Sequence, residues 1–184
     1  MIQRCALFLI LGAELAGPQE QGRIVRPVDG AALPPGEASF VARSPGGKLE
    51  LDGKPLASEQ PFPDVLHART APAAGTHTLA LVSGAGRQEI RFFVGDGAPA
   101  GFKAYRKHPR VPVECTQCHA LSNRGRFRFK GGCFDCHAQQ AFAKPHSHTP
   151  EVLAECGQCH DAHGSTEKAL LILPREKACK LCHN

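Results

Sequence analysis

Eight cysteines in the second half of the chain form four pairs, each with two residues between its members. The pairs are Cys115/Cys118, Cys133/Cys136, Cys156/Cys159 and Cys179/Cys182, and the residue after each pair is His119, His137, His160 or His183. Cysteine pairs at this spacing suit disulfides, tetrahedral zinc sites or covalent haem attachment. The histidines favour haem, because the two thiols add to the haem vinyl groups while the adjacent imidazole binds the iron. The motifs therefore predict four covalently bound c-type haems.

The same half contains four further histidines, which are candidates for the second axial ligand of each iron. They are His108, His146, His148 and His163. The single methionine is Met1, so no methionine is available as a ligand in a processed chain. Two imidazoles on an iron leave no position for a substrate and favour electron transfer at low potential. No catalytic residue is predicted, and His67 and His77 are interpreted as structural or exposed.

The two halves of this region repeat each other. Val111–His119 reads VPVECTQCH and Val152–His160 reads VLAECGQCH, 41 residues later, and each copy precedes a second Cys-x-x-Cys-His motif. Residues 108–183 resemble the doubled CXXCH motif family of multihaem c-type cytochromes, with the best agreement over 148–183. In the first copy, Ala120-Leu121-Ser122 stands where the family pattern expects a histidine. The resemblance implies haems with two histidine ligands each.

The N-terminal half has a different character and is predicted to be an all-β sandwich. Between residues 22 and 95 there is no cysteine, and short β-prone runs alternate with Gly- and Pro-containing turns. The runs are Ile24-Val25, Ser39–Ala42, Lys48–Leu51, Val65–Ala68, Thr76–Val82 and Glu89–Val94. Leu49–Leu56 and Gly75–Leu81 are similar to stretches of bacterial immunoglobulin-like or fibronectin-like modules. Six or seven strands in an immunoglobulin-like sandwich are expected.

The chain is divided into four predicted segments. Residues 1–17 contain a basic residue, Arg4, followed by a short apolar run, and they are predicted to be a secretory signal peptide. Residues 22–95 are the β module, and 96–102 are a Gly- and Pro-containing linker. Residues 103–184 are a tetrahaem domain with short helices and little regular structure, whose motif pairs span 108–137 and 148–183. The protein is expected to be exported to the periplasm or cell surface, and no apolar run is long enough for a transmembrane span.

Charge is divided unevenly between the halves and suggests different partners for each. The formal net charge of +5 consists of −1 over residues 1–97 and +6 over 98–184. A basic region with Arg124, Arg126 and Arg128 could bind nucleic acid, but haem propionates supply a better reason for the positive charge. We therefore expect this stretch to face propionates or a partner protein, and we expect redox proteins as electron donor and acceptor.

A tetrahaem electron carrier is the leading functional prediction, with three alternatives. A multihaem reductase would require one iron with an open position, as when His108, His146 or His148 is not a ligand. A subunit of a homo-oligomer or filament could stack haems across protomers into a wire. Zinc bound by the paired Cys-x-x-Cys motifs is the remote alternative.

Overall fold

The computed structural model describes residues 22–108, 114–137 and 155–183. The predicted signal segment at 1–17 lies outside the described residues. His146 and His148 also lie outside them.

Residues 23–104 form ten strands in two sheets. In chain order the strands are β1 Arg23–Arg26, β2 Ala31–Leu33, β3 Ala38–Arg43, β4 Lys48–Leu51, β5 Lys54–Leu56, β6 Glu59–Phe62, β7 Val65–Thr70, β8 Gly75–Ser83, β9 Gly86–Val94 and β10 Lys103–Ala104. One sheet has the order β1-β3-β7-β6 and is antiparallel. The other has the order β10-β2-β9-β8-β4-β5, and only β2 pairs in parallel, with β9 and with β10.

The two sheets enclose one hydrophobic core and so form the predicted β-sandwich. On β3, Ala38, Phe40 and Ala42 alternate toward this core, as the two-residue period of a strand requires. Phe40 meets Phe92 of the opposite sheet with ring centroids 5.5 Å apart, and both rings are fully buried. Val41 points to the other face of its sheet, where it joins a second apolar cluster with Phe62 and Val65.

The six predicted runs correspond to β1, β3, β4, β7, β8 and β9. The runs do not predict strands β2, β5, β6 and β10. β5 contains Pro55 and β6 contains Pro61, and proline weakens a strand prediction because it cannot donate to a ladder. Both strands lie at the edge of a sheet, where proline is tolerated. The count of six or seven strands for residues 22–95 was therefore too low.

The second half has little regular structure. It contains helix α1 Cys115–Cys118, a hairpin of β11 His119–Leu121 and β12 Phe127–Phe129, and helix α2 Arg175–Ala178. Short 3₁₀ turns lie at Cys133–Asp135, Cys156–Gln158, Lys168–Leu170 and Cys179–Leu181. No helix in the described part of the chain is long and apolar enough to cross a membrane.

The chain connects its two halves through the larger sheet. Lys103 opens the segment predicted as the second domain, yet Lys103–Ala104 is strand β10 of the sandwich. Tyr105 follows and belongs to the sandwich core. Arg106 then forms an isolated antiparallel bridge with Ser165, so the chain passes from the sheet to the second half without a break in backbone pairing.

Candidate functional site

All four Cys-x-x-Cys-His motifs adopt a similar local structure. Each starts a helical turn at its first cysteine, and the backbone N–H of the histidine donates to the carbonyl of that cysteine. The donors are His119, His137, His160 and His183, with N···O distances of 2.9 Å for His137 and His160 and 3.0 Å for His183. Residues three and four apart on a helical turn lie on one face. In each motif this bond brings the backbone of the histidine close to that of the first cysteine.

The second cysteine of the last three motifs lies just past its 3₁₀ turn, whereas Cys118 of the first motif is the last residue of α1. The backbone N–H groups of Cys136, Cys159 and Cys182 donate to the first cysteine of their motifs at 3.3, 3.2 and 3.3 Å. Cys136 and Cys182 are exposed, and Cys159 is partly exposed. These positions leave all three thiols accessible to a ligand from solvent.

A thioether requires the vinyl group of a haem as its second partner, which no side chain can supply. Haem attachment at Cys136, Cys159 and Cys182 therefore stays a prediction, while their placement beside the motif histidines agrees with it.

The histidine of the first motif faces a second histidine from the other repeat. The rings of His119 and His163 have centroids 5.9 Å apart and planes inclined by only 7°. His163 Nδ1 lies 2.9 Å from Asp161 Oδ1, which also accepts the His163 backbone N–H at 2.8 Å. An Nδ1–H donated to this carboxylate leaves Nε2 of His163 available as a ligand.

The carboxylate of Asp161 is held in its ionised form. Burial alone raises its pKa, but the hydrogen bonds from His163 outweigh that effect, and Arg23 adds attraction. The net pKa lies below its ordinary value. The role of Asp161 as partner of His163 was not predicted, since a carboxylate beside a histidine has no local signature.

A second pair of histidines forms around the second motif. Nε2 of His108 lies 3.4 Å from Nε2 of His137, and the ring centroids are 5.7 Å apart with planes inclined by 48°. Burial lowers the pKa of His108, and the neighbouring His137 lowers it further. The imidazole of His108 is therefore favoured in the neutral form, which is the form that binds a metal.

These separations fit one iron between each pair. With metal–imidazole bonds of about 2 Å on opposite sides of an iron, ligand nitrogens lie about 4 Å apart and ring centroids about 6 Å apart. The observed centroid separations of 5.9 and 5.7 Å agree closely. The His108–His137 nitrogens, at 3.4 Å, would need to move apart by about 0.6 Å to bind one iron.

The third motif is oriented by the loop that follows it. His160 Nδ1 lies 2.7 Å from the carbonyl oxygen of Ala169, and the backbone of Asp161 donates to Leu170 at 2.8 Å. A metal-binding histidine is commonly fixed in this way through its other nitrogen. The predicted second ligands His146 and His148 lie outside the described residues, so their pairing with the third and fourth motifs stays a prediction.

Three of the motifs lie close to one another. The thiol of Cys133 in the second motif forms a hydrogen bond with Cys156 of the third and lies near Cys118 of the first. Burial raises the pKa of Cys133, and these two neighbouring thiols raise it further. No disulfide joins any of the eight cysteines, all of which fall in the described ranges. The thiols of these three motifs therefore lie close together.

Apolar side chains are exposed around the motifs. The exposed large hydrophobic residues of the described chain all lie in the second half: Leu121, Phe129, Phe134, Ile172 and Leu181. Among the described residues after Tyr105, the only buried hydrophobic one is Ala178. Exposed apolar surface of this kind marks a binding site, and porphyrin rings would cover it.

Zinc fits these residues less well than haem. A structural zinc site requires four ligands in a tetrahedron. Within residues 22–108, 114–137 and 155–183, no group of three or more His, Cys, Asp or Glu side chains is placed to hold a metal ion. Opposed histidine pairs are instead the arrangement that an axially ligated haem iron uses.

The C-terminal part of the chain matches a known family. Residues 148–184 match the model described as "Doubled CXXCH motif", which covers the last two of the four motifs. This match supports a multihaem c-type cytochrome family and covalently bound c-type haem. No curated protein matches the chain.

Two solved structures show weak similarity to the chain. One is the twitchin kinase region from C. elegans, with 17% identity over 41% of this chain and a TM-score of 0.28. The chain spans only 16% of that structure. The other is a chimeric titin Z1Z2 functionalised with a KLER peptide from decorin, with 17% identity, a TM-score of 0.27 and coverage of 40% of this chain and 91% of that one. At these TM-scores neither similarity carries an argument about the fold.

Proposed function

We propose that the protein is a tetrahaem c-type cytochrome that carries electrons between redox proteins outside the cytoplasm. The observation that carries this proposal is the shared turn of the four motifs, two of whose histidines face a second histidine. The apolar run in residues 1–17 supports export. The N-terminal module is proposed to be immunoglobulin-like.

Covalent attachment would use both thiols of each motif. Each haem would form two thioether bonds, one to the first and one to the second cysteine of its motif. The four pairs are Cys115 with Cys118, Cys133 with Cys136, Cys156 with Cys159, and Cys179 with Cys182. Bound haem supplies reversible one-electron chemistry at iron, while the chain fixes ligands, spacing and solvent access.

Axial ligation would use the histidines. The four motif histidines would be the proximal ligands. His163 is proposed as the second ligand opposite His119, and His108 as the second ligand opposite His137. His146 and His148 are proposed for the irons of the third and fourth motifs.

A mass and absorption measurement tests the proposal. Protein produced with haem-maturation machinery is expected to carry four haems and to show low-spin spectra in both redox states. Carbon monoxide should leave the reduced spectrum unchanged, because two imidazoles occupy each iron. Bound zinc in place of haem would refute the proposal. A high-spin component that binds carbon monoxide or nitrite would instead favour the reductase.

Single substitutions test the ligand pairs. His163→Ala and His108→Ala should each convert one haem to a high-spin or ligand-binding form without loss of covalent haem. His77→Gln is the matched control, because His77 lies in the sandwich and bonds to Asp52 and Ala73 rather than to a motif. Unchanged low-spin spectra in either ligand variant would contradict that pairing.

A further inference from the structure

We propose that the β-sandwich forms one side of the site of the first haem, which is the haem proposed for the motif Cys115–His119. In this site Phe62 and Tyr105 are positioning residues for His119 and His163. The proposal rests on the haem-binding function above. It assigns to the N-terminal module a part in setting the properties of one haem, beyond that of a folded appendage.

Phe62 connects the sandwich to the proximal histidine. It lies at the end of β6, is only 8% exposed, and packs with Val41 and Val65 on the face of the sheet that points away from the sandwich core. Its ring meets Phe127 of the hairpin edge-on at 5.1 Å and His119 at 6.4 Å. Phe127 in turn stacks on the His119 ring at 4.6 Å with planes inclined by 25°. The His119 imidazole therefore packs against two aromatic rings, and one of them, Phe62, belongs to the sandwich.

The same surface includes the first attachment point. Cys115 and Phe127 pack against the cluster of Val41, Phe62 and Val65. The guanidinium of Arg43 lies 5.9 Å from the centre of the Phe127 ring, within range of a cation–π interaction. The sandwich thus contacts both the first cysteine of the motif and the aromatic ring that supports its histidine.

Tyr105 connects the sandwich to the distal histidine. It is 8% exposed within the sandwich core, and its backbone N–H donates to Ala32 at 2.8 Å. Its hydroxyl donates to the carbonyl of His163 at 2.9 Å. Burial raises the pKa of Tyr105, so the hydroxyl keeps its proton and remains a donor. Backbone bonds of 2.8 and 3.0 Å between Arg106 and Ser165 hold the two segments together beside this contact.

The sandwich therefore contacts both histidines proposed for the first iron, His119 at its ring through Phe62 and His163 at its backbone carbonyl through Tyr105. The ring planes of these two histidines are inclined by 7°, whereas those of His108 and His137 are inclined by 48°. The g-values of a low-spin ferric haem depend on the angle between its axial imidazole planes, so the two haems should give separate signals. Packing around a ligand and exclusion of solvent also set the reduction potential.

The test compares holoprotein carrying Phe62→Ala or Tyr105→Phe with the wild type. Both variants should change the ferric low-spin signal assigned by His163→Ala to the first haem, and should leave the His108-dependent signal unchanged. Phe62→Ala should lower the reduction potential of the first haem, because greater solvent access favours the ferric ion. Cyanide should displace a ligand of the first haem about two- to tenfold faster, the effect expected for loss of one aromatic contact.

Phe93→Ala is the matched control. Phe93 is a half-buried ring of the same module that packs on Phe102 in the connecting segment, with centroids 6.0 Å apart. The Phe93→Ala variant should leave all low-spin ferric haem signals unchanged. If Phe62→Ala and Tyr105→Phe give spectra and cyanide rates equal to those of Phe93→Ala, the sandwich does not position the ligands. If the wild type lacks low-spin haem, the proposed function itself fails, which is a separate outcome.

Discussion

Gly164 lies between the backbone of His163 and Tyr105 of the sandwich core. Its φ of +128° lies where L side chains are rarely found, and a Cβ here would overlap the Tyr105 hydroxyl and lie 2.8 Å from the carbonyl oxygen of Arg106. Gly164→Ala should therefore break the Tyr105–His163 hydrogen bond and lower the free energy of unfolding by about 2 kcal/mol. Urea denaturation measures this loss, and the high-spin fraction of the ferric protein reports release of His163.

Gly36 provides the matched control for this substitution. Its φ of +109° is similarly unfavourable, but nothing lies within 4 Å of a Cβ at that position. Gly36→Ala should lose only the backbone contribution, on the order of 1 kcal/mol, and should keep a low-spin spectrum. Equal losses in the two variants would mean that the contact with Tyr105 is unimportant.

The pair of His77 and Asp52 should make the stability of the sandwich depend on pH. His77 Nδ1 lies 2.7 Å from Asp52 Oδ2, and Nε2 lies 2.8 Å from the carbonyl oxygen of Ala73. Burial lowers the pKa of His77, but these bonds raise it more, so it ends above 6.5. Burial raises the pKa of Asp52, but bonds from His77 and Thr78 lower it more, so it ends below 3.8.

The two shifts define the range in which the pair stabilises the fold. The His77 contribution is complete below the unfolded pKa of 6.5 and is lost as pH rises through the higher folded value. The Asp52 contribution is complete above 3.8 and is lost as pH falls through the lower folded value. The stability difference between wild type and His77→Gln should therefore be largest near pH 5 and should shrink by about pH 9. A difference that is constant over this range, measured by urea denaturation, would contradict the prediction.

The loop of residues 165–172 is the element that supports the third motif. Ser165 is 5% exposed, and its Oγ donates to the carbonyl of Leu171 at 2.6 Å and accepts from the N–H of Glu167 at 2.9 Å. Ser165→Ala should leave these backbone groups unsatisfied and cost about 1–3 kcal/mol. Amide hydrogen exchange in this loop should also accelerate, because the free energy of local opening is lower in the variant.

Ser83 allows a matched comparison at an exposed turn. Its Oγ donates to Gly86 at 3.4 Å and accepts from Ala85 at 3.2 Å, but both bonds are solvent-exposed. Water can replace them in Ser83→Ala, so this variant should lose about 0.5 kcal/mol or less. If both serine variants lose the same stability, burial does not account for the role of Ser165.

Local patterns predict the elements that depend on local structure. The Cys-x-x-Cys-His spacing lies within one helical turn, so the sequence alone indicates which residues share a face. Alternating runs likewise predict the central strands. The edge strands β5 and β6 are not predicted, because Pro55 and Pro61 interrupt the β-prone pattern. The facing of His119 and His163, and the contacts of Phe62, arise from packing between distant segments, which spacing and periodicity do not encode.

At the scale of the whole molecule, the two halves are joined by an interface rather than by a linker alone. β10 belongs to the sandwich sheet, Arg106 pairs with Ser165, and Lys103 forms an ion pair with Glu167 at 2.8 Å. The ion pair is largely exposed on the lysine side and contributes little. The ring of Phe62 and the hydroxyl of Tyr105 add contacts between the halves that are shielded from water, because both residues are buried.

This coupling predicts that the sandwich and the first haem site unfold together. In urea, β-sheet circular dichroism and haem absorbance at the Soret band should give the same midpoint, as coincident probes do for one cooperative unit. Phe62→Ala should separate the two midpoints, because it removes the aromatic contact between the halves and costs about 3 kcal/mol, in the range measured for buried phenylalanine. Phe93→Ala should lower both midpoints together, so that the two probes stay coincident. Separate midpoints in the wild type would mean that the halves are independent domains, and that ligand geometry at the first haem is set within the second half alone.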